Sequence, residues 1–377
     1  MSSPSRQSGI GHELIIGFVR RGFSSGGGAE AYFTRLAAGV AAAGHSVSLF
    51  TAAEWPAEEW SFGPIERVKA ASPIAFADEL EKVAPNKCDV LFSLERIWRC
   101  DIYRAGDGVH RAWLERHDQI AGPLKKLSRF FNRKHSAALS LEESLFAKRG
   151  ARRVIANSRM VKDEIVRFYG YPAENIDVVY TGVPLELFHE VSDREKTRES
   201  LGLARDEIVV LFAGSGWERK GLRFVLDAIE AQGAKVKLLV AGRGEPEKFS
   251  SSRAKFLGVV RAMPSLYRAA DIFLLPTFYD PFSNACLEAL AAGLPIITTK
   301  ANGFSEIIES GRHGSVIDDA RDVPAISAAL QFWADPMRRA QARIDNLALA
   351  AQFDISRNVT ETLAILTDAA GERNKAL

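Results

Sequence analysis

Two carboxylates eight residues apart, Asp280 and Glu288, stand in the otherwise apolar stretch LLPTFYDPFSNACLEALAAGLPIITTKANGFSE, residues 274–306. Core packing alone does not account for both of them. Asp280 directly precedes Pro281, and Glu288 falls inside an Ala- and Leu-rich run, Asn284 to Ala292, that stops at Gly293 and reads as a helix. The start of such a helix, here Phe282, Ser283 and Asn284, offers unpaired backbone N–H groups and a partial positive charge to an anion such as a nucleotide diphosphate. A Glu about one and a half turns further along can accept two hydrogen bonds from a vicinal diol such as a ribose. The alternative for Glu288 is a solvated residue on a helix face.

Other residues have types suited to the same chemistry. In Gly214-Ser215-Gly216-Trp217-Glu218-Arg219-Lys220-Gly221, which follows an apolar run ending at Ala213, Arg219 can fork onto two phosphate oxygens and Lys220 adds a point charge. No Ser or Thr follows Lys220, so this is not a Walker A loop; the alternative is a solvated pair capping a turn. Gly26, Gly27 and Gly28 follow the first apolar run and let a backbone approach a phosphate or sugar without a Cβ in the way. Such a loop also opens NAD-binding domains, but Ala52 and Ala53 stand where that reading wants an acidic residue at the tip of the second strand. Arg243, between Gly242 and Gly244, and the segment Val260 to Met263 follow adjacent strands, so their loops converge on one cleft; a surface role for Arg243 is the alternative. Asp107 and His110 lie on a glycine-rich turn in DIYRAGDGVH, where polar groups can point into a cleft and a His is readily tuned near neutral pH.

Asp280-Pro281-Phe282, then Glu288-Ala289-Leu290, Gly293, Pro295, and Gly303 with Glu306, resemble the E-x7-E region of family 4 retaining glycosyltransferases. The resemblance to the family runs over nearly all of the chain, from Gly22 to about Asp354, and more narrowly the chain is similar to bacterial lipopolysaccharide core glucosyltransferases. The first position of the pattern is usually Glu in that family and is Asp280 here. The resemblance implies a GT-B fold and a UDP-sugar, foremost UDP-glucose, as donor substrate; no cofactor is expected, and no metal, because no cluster of His, Asp or Cys has ligand spacing and Arg219 with Lys220 can neutralise a diphosphate instead. It implies diphosphate binding by Arg219 and Lys220, base binding around Val260 to Met263, and contact of Asp107 or His110 with the transferred sugar.

These residues need elements to carry them. Strands are expected at Glu13 to Val19, Val47 to Thr51, Asp89 to Ser93 and Arg153 to Ala156, with helices between, the first from Ala29 to Ala43. A second series follows at Ile208 to Ala213, Lys237 to Ala241, Lys255 to Val259, Asp271 to Leu275 and Ile296 to Thr299. Beyond Ser310 the pattern reads as helical, through Ala325 to Trp333, Met337 to Ala351 and Val359 to Asp368. Two series of alternating strands and helices predict an α/β protein of two doubly wound, Rossmann-like domains facing a cleft. The expected division is 1–188 for the acceptor and 189–354 for the nucleotide sugar, with the join near Pro184 to Ser192. By resemblance the last helix, about 355–377, packs back on the first domain.

The 377-residue length suits two domains, and 47% hydrophobic with 25% charged residues describes a soluble globular chain. A net charge of +2 argues against nucleic acid as a partner. Cys88, Cys100 and Cys286 lack zinc or redox spacing and are expected as reduced thiols of a cytoplasmic protein. MSSPSRQSGIGHE has no apolar signal core and is expected to be a disordered lead-in. Arg111 to His135 holds seven Arg or Lys against two acids, interleaved with Trp113, Leu114, Leu124, Leu127, Phe130 and Phe131, a composition suited to an anionic membrane surface. Its alternative is a helix with one packed and one solvated face. The expected partners are a nucleotide sugar and a saccharide or lipid-linked saccharide, with any membrane contact at the inner face of the cytoplasmic membrane. The rival functions are a nucleotide-sugar epimerase, an NAD-dependent dehydrogenase and a non-catalytic sugar-nucleotide binder. A two-carboxylate glycosidase fits poorly, because its carboxyl groups sit roughly 5 to 9.5 Å apart and eight helical residues span about 12 Å.

Overall fold

The computed structural model describes residues 13–24, 28–56, 58–120, 132–189 and 193–376. The N-terminal lead-in up to residue 12, Gly26, Gly27, and Leu124, Leu127, Phe130 and Phe131 of the basic stretch lie outside the described residues.

The first parallel sheet is built from β1 Ile15–Val19, β2 Ser46–Thr51, β3 Ile65–Arg67, β4 Val90–Ser93, β5 Cys100–Ala105, β6 Ala151–Ala156 and β7 Ile176–Val178, in the order β3-β2-β1-β4-β5-β6-β7. The second contains β8 Ile208–Ala213, β9 Val236–Ala241, β10 Ala254–Gly258, β11 Ile272–Leu275, β12 Ile296–Thr299 and β13 Gly314–Ile317, in the order β10-β9-β8-β11-β12-β13. Every strand pairing is parallel, and helices cover both faces, which is why the central strands read as unbroken apolar runs. The expected two doubly wound domains are therefore present.

Several elements differ from the sequence expectation. Short β3 and β7 are three residues each, and β13 interrupts the region read as wholly helical beyond Ser310. The run before Asp107 is a full six-residue strand inside the first sheet. The last helix covers Ile355–Ala376 and not merely Val359 to Asp368.

In each sheet the strand order reverses beside one strand, at β1/β4 and at β8/β11, and crevices at the carboxyl ends of such strands are where open α/β sheets bind ligands. The loops after β8 and β11 carry Arg219, Lys220 and Asp280; those after β4 and β5 carry Arg96 and Asp107. Fold topology thus places the chemistry-bearing residues at the carboxyl ends of interior strands in the two sheets.

Two segments cross between the domains side by side: Val183 N–H donates to Phe353 O at 3.0 Å, and Ile355 N–H to Val183 O at 3.0 Å. The helix Ile355–Ala376 then lies against the helix Gly28–Ala42, burying Val359, Ile365, Leu366, Ala369 and Ala370 in the first domain's core. Asn358, 3% exposed, ties this crossing together. Its Oδ1 accepts from Tyr32 Oη at 2.9 Å and its Nδ2 donates to Tyr180 O at 2.6 Å, while the buried Arg104 guanidinium lies over the Tyr32 ring at 4.6 Å. Asn358→Ala strands a phenol hydroxyl and a carbonyl oxygen, and is expected to cost about 2 kcal/mol and lower the thermal midpoint. An unchanged midpoint in a calorimetric melt would show that water replaces the amide.

Candidate active site

At the end of β8 the chain turns through Gly214, whose φ of +144° suits glycine alone, and an added Cβ would lie 2.7 Å from the Lys220 Nζ. The space so left holds the Lys220 side chain, and its Nζ meets Asp280 Oδ2 at 3.3 Å, with both residues buried. Neighbouring Arg219 donates from Nη1 to Tyr279 O at 2.6 Å, so the basic pair grips the Asp280 loop at two adjacent residues. Asp280 itself is fixed by its backbone: its N–H donates to Ala301 O at 3.0 Å and its C=O accepts from Gly303 N–H at 2.9 Å.

The helix after this loop begins at Asn284, with Ser283 as its cap, accepting from Cys286 N–H. Ser283 N–H in turn donates to buried Asn302 Oδ1 at 3.2 Å. Phe282 is 4% exposed and packs in the second core, whereas Asn284 Nδ2 reaches across to Gly28 O at 3.3 Å. Arg243, exposed, also reaches the first domain, donating to Ser24 Oγ at 2.9 Å. Ser24 and Gly28 of the first domain therefore face Arg243 and Asn284 of the second.

Glu288 is half-buried one turn into the helix, and Tyr267 Oη donates to its Oε2 at 2.9 Å. Burial pushes the Glu288 carboxyl up; the Tyr267 hydrogen bond and the charges of Arg35 and Lys220 oppose this. A carboxylate has about four lone-pair sites, so the Tyr267 bond orients Glu288 and leaves acceptor capacity for a diol. Val260 and Met263 are half-buried at the end of the same sheet, Met263 as the first residue of the helix Met263–Ala269.

The first domain contributes a charged edge. Asp107, whose side chain is 55% exposed, lies 3.9 Å from Arg96 Nη1, and Arg20 pairs with Glu30 at 3.0 Å and Glu95 at 3.4 Å. Burial, reinforced by Asp107, pushes the Glu95 carboxyl up against the pull of Arg20. Glu95 and Arg20 carry no sequence signal beyond following strands, so only the fold brings them beside Asp107.

His110 departs from its expected place. It starts the helix His110–Ile120 and is not on an open turn: its N–H donates to buried Glu142 Oε1 at 2.6 Å, its Nε2 lies 3.1 Å from His135 Nδ1, and its ring stacks on Trp113. The imidazole thus packs among first-domain side chains. The three cysteines are free and buried. Among the described residues there is no group of three or more His, Cys, Asp or Glu able to hold a metal, and no helix long and apolar enough to cross a membrane.

Comparison with known proteins gives two family models, Glycosyltransferase Family 4 over residues 26–187 and Glycosyl transferases group 1 over residues 207–335. A probable transglycosylase of Burkholderia thailandensis is 28% identical over 96% of this chain and 99% of its own. A D-inositol 3-phosphate glycosyltransferase of Streptomyces avermitilis is 27% identical over 85% of this chain and 80% of its own. The match to an uncharacterized glycosyltransferase of Methanocaldococcus jannaschii, 30% identical, spans 43% of this chain and 45% of that protein, under two thirds of its length. Among solved structures, WaaG, a glycosyltransferase involved in lipopolysaccharide biosynthesis, superimposes with a TM-score of 0.79 at 21% identity, covering 93% of this chain and 99% of WaaG. HepE of Anabaena in complex with UDP-glucose gives 0.74 at 22% identity, covering 94% and 100%. At those identities the structural likeness establishes the fold, which is GT-B.

The surroundings of His110 set a pH dependence. Burial, with Arg96 and His135 adding to it and Glu142 opposing, pulls the imidazole down to about 4. The unfolded chain takes up a proton near pH 6.5 that the folded chain refuses, so this contribution to stability is full above pH 6.5 and is lost as pH falls towards 4. The thermal midpoint is expected to drop across that window, and less so in His110→Gln. Parallel curves for the two proteins would contradict this.

Proposed function

The chain belongs to the glycosyltransferases of these two families, and from that premise we propose that it transfers glucose from UDP-glucose to a saccharide acceptor with retention of configuration. The observation that carries this reading is the Lys220–Asp280 pair at the start of the helix Asn284–Ala291, with Glu288 one turn further in and Gly28 across the cleft. Lys220 and Arg219 neutralise the leaving diphosphate, so no metal is required. Glu288, oriented by Tyr267, takes the ribose; Phe282, Ser283 and Asn284 offer the helix start to the phosphates; Val260 to Met263 flank the base. Asp280 receives hydroxyls of the sugar. Residues 1–188 bind the acceptor and 189–354 the donor, with 355–377 closing back on the first part. Closure excludes water, which otherwise competes for the sugar.

UDP-glucose bound to HepE supports the donor, and the part of WaaG in lipopolysaccharide biosynthesis supports lipopolysaccharide core as acceptor. An acceptor of that kind suits a cytoplasmic enzyme touching the inner face of the membrane through the basic stretch 111–135. Co-sedimentation with anionic vesicles that weakens steeply with salt is the expected sign of that contact. Equal binding to neutral vesicles would remove the electrostatic account.

The donor assignment is tested by affinity and turnover together. UDP-glucose at 100 times its dissociation constant should stabilise the protein by about 2.7 kcal/mol, with GDP- and ADP-glucose doing less. Asp280→Asn should cut UDP release by about a hundredfold with UDP affinity kept, since the lost contact is to the sugar. Glu288→Gln should weaken UDP and UDP-glucose alike, by about tenfold. Turnover should survive EDTA, and the product anomer read by NMR should match the donor. Full activity in Asp280→Asn, or metal-dependent turnover, sinks the assignment concerned.

A further inference from the structure

Tyr279 belongs by sequence to the donor-side loop after β11 and by packing to the other domain. It is 3% exposed and lies in the first domain's core cluster with Val109, Ala112, Val161 and Ile165. Its Oη donates to Glu164 Oε2 at 2.7 Å and accepts from Val109 N–H at 2.9 Å, and the Arg116 guanidinium lies 4.7 Å over its ring while pairing with Glu164 Oε1 at 2.6 Å. At its other end, Tyr279 O accepts from Arg219 Nη1 at 2.6 Å. Gly108, at φ +68°, is shaped by the insertion: an added Cβ would stand 2.4 Å from Tyr279 Oη and 2.6 Å from Pro281 Cγ.

One residue therefore holds the diphosphate-side arginine with its carbonyl and the Asp107-Gly108-Val109 turn with its hydroxyl, and the next residue in the chain is Asp280. We propose that Tyr279 is a positioning residue that fixes the acceptor-side turn bearing Asp107 in register with the donor-side loop bearing Asp280. A phenol suits this task because it is rigid about two torsions and can donate and accept at once. Misplacement of reacting groups by about 1 Å is enough to cost a hundredfold in rate, so a single hydrogen bond between the loops has leverage beyond its own energy. The inference rests on the proposed reading of Asp280 as the sugar contact.

The test compares Tyr279→Phe, which keeps the ring and loses the hydroxyl, with Glu164→Gln, which keeps an oxygen able to accept from it. UDP release from UDP-glucose is expected to fall by about tenfold or more in Tyr279→Phe, with the UDP dissociation constant within about twofold of wild type. Glu164→Gln should retain turnover within about threefold. Hydrogen exchange at the Val109 amide should quicken in Tyr279→Phe alone. Wild-type turnover in Tyr279→Phe overturns the proposal, as does a loss of turnover matched by equal losses of UDP affinity and thermal midpoint, which marks a purely structural role. If wild-type protein is not stabilised by UDP or UDP-glucose, the donor reading has failed; Val109 exchange then decides the loop contact separately, and unchanged protection in Tyr279→Phe overturns it.

Discussion

A lysine ammonium and an aspartate carboxylate, on side chains that are each only 11% exposed, face each other across the loops that follow β8 and β11. Burying two ions has a desolvation penalty of several kcal/mol each, and their attraction offsets it only when geometry is held tightly. Much of the surrounding structure does that holding. Gly214 leaves room for the lysine stem, Arg219 clamps Tyr279 O, and backbone hydrogen bonds to Ala301 and Gly303 pin Asp280 on both sides. Pro281 fixes its own φ and restricts the residue before it to extended conformations, which removes the remaining freedom of Asp280. Because β8 and β11 are adjacent strands, paired at Val210 and Ile272, the two loops have a common rigid base.

The same loop also joins the domains. Ser158, capping the helix Arg159–Tyr169, accepts from Val161 N–H and donates to Pro281 O at 2.7 Å. Glu306, in the short turn after β12, places its two carboxylate oxygens at 2.8 and 3.2 Å from Arg159 and Met160 N–H, so a second-domain acid supplies what the first turn of a first-domain helix lacks. With Tyr279 inserted beside these contacts, residues 279–306 act as a second-domain surface that completes first-domain structure. Placement of Asp107 relative to Asp280 is then a property of packing and not of a flexible linker.

How much of this is legible in sequence depends on what fixes each element. Central strands such as Ile208–Ala213 and Ile296–Thr299 are buried on both faces and appear as clear apolar runs. Edge strands β3, β7 and β13 have three or four residues and only partial burial, so neither length nor alternation separates them from loops. The place of the last helix on the first domain has no signature in its own periodicity, since an apolar stripe does not name the surface it covers. Asp280 and Glu288 stand out because they interrupt an apolar stretch, and Arg219 and Lys220 because they form a basic pair in the glycine-bearing loop that follows one. Glu95, Tyr267 and Tyr279 are not, because an acid after a strand or a Tyr in an apolar segment is ordinary until the fold shows its partner. The local placement of His110 is hidden for the converse reason: its neighbours Gly106 and Gly108 suggest an open turn, whereas it is the first residue of a helix and its N–H donates to Glu142, 32 residues away in sequence.

The buried pair also bears on how two buried charges could take part in the proposed transfer. Lys220 and Asp280 compensate each other, so neither is left as an isolated buried charge, a state that costs about 3 to 5 kcal/mol. If UDP-glucose is the donor, arrival of its diphosphate offers Lys220 a second anion, and its sugar hydroxyls offer Asp280 hydrogen-bond donors. The attraction between the two residues would then be exchanged for contacts to the ligand without either charge returning to water. On that reading charge on the diphosphate would grow as the glycosidic bond breaks, so the lysine interaction would strengthen towards the transition state while the aspartate stayed tied to the sugar. Such an exchange is open to a short carboxylate fixed by Pro281 and Gly303, because its position is set by backbone hydrogen bonds that persist when the ion pair loosens.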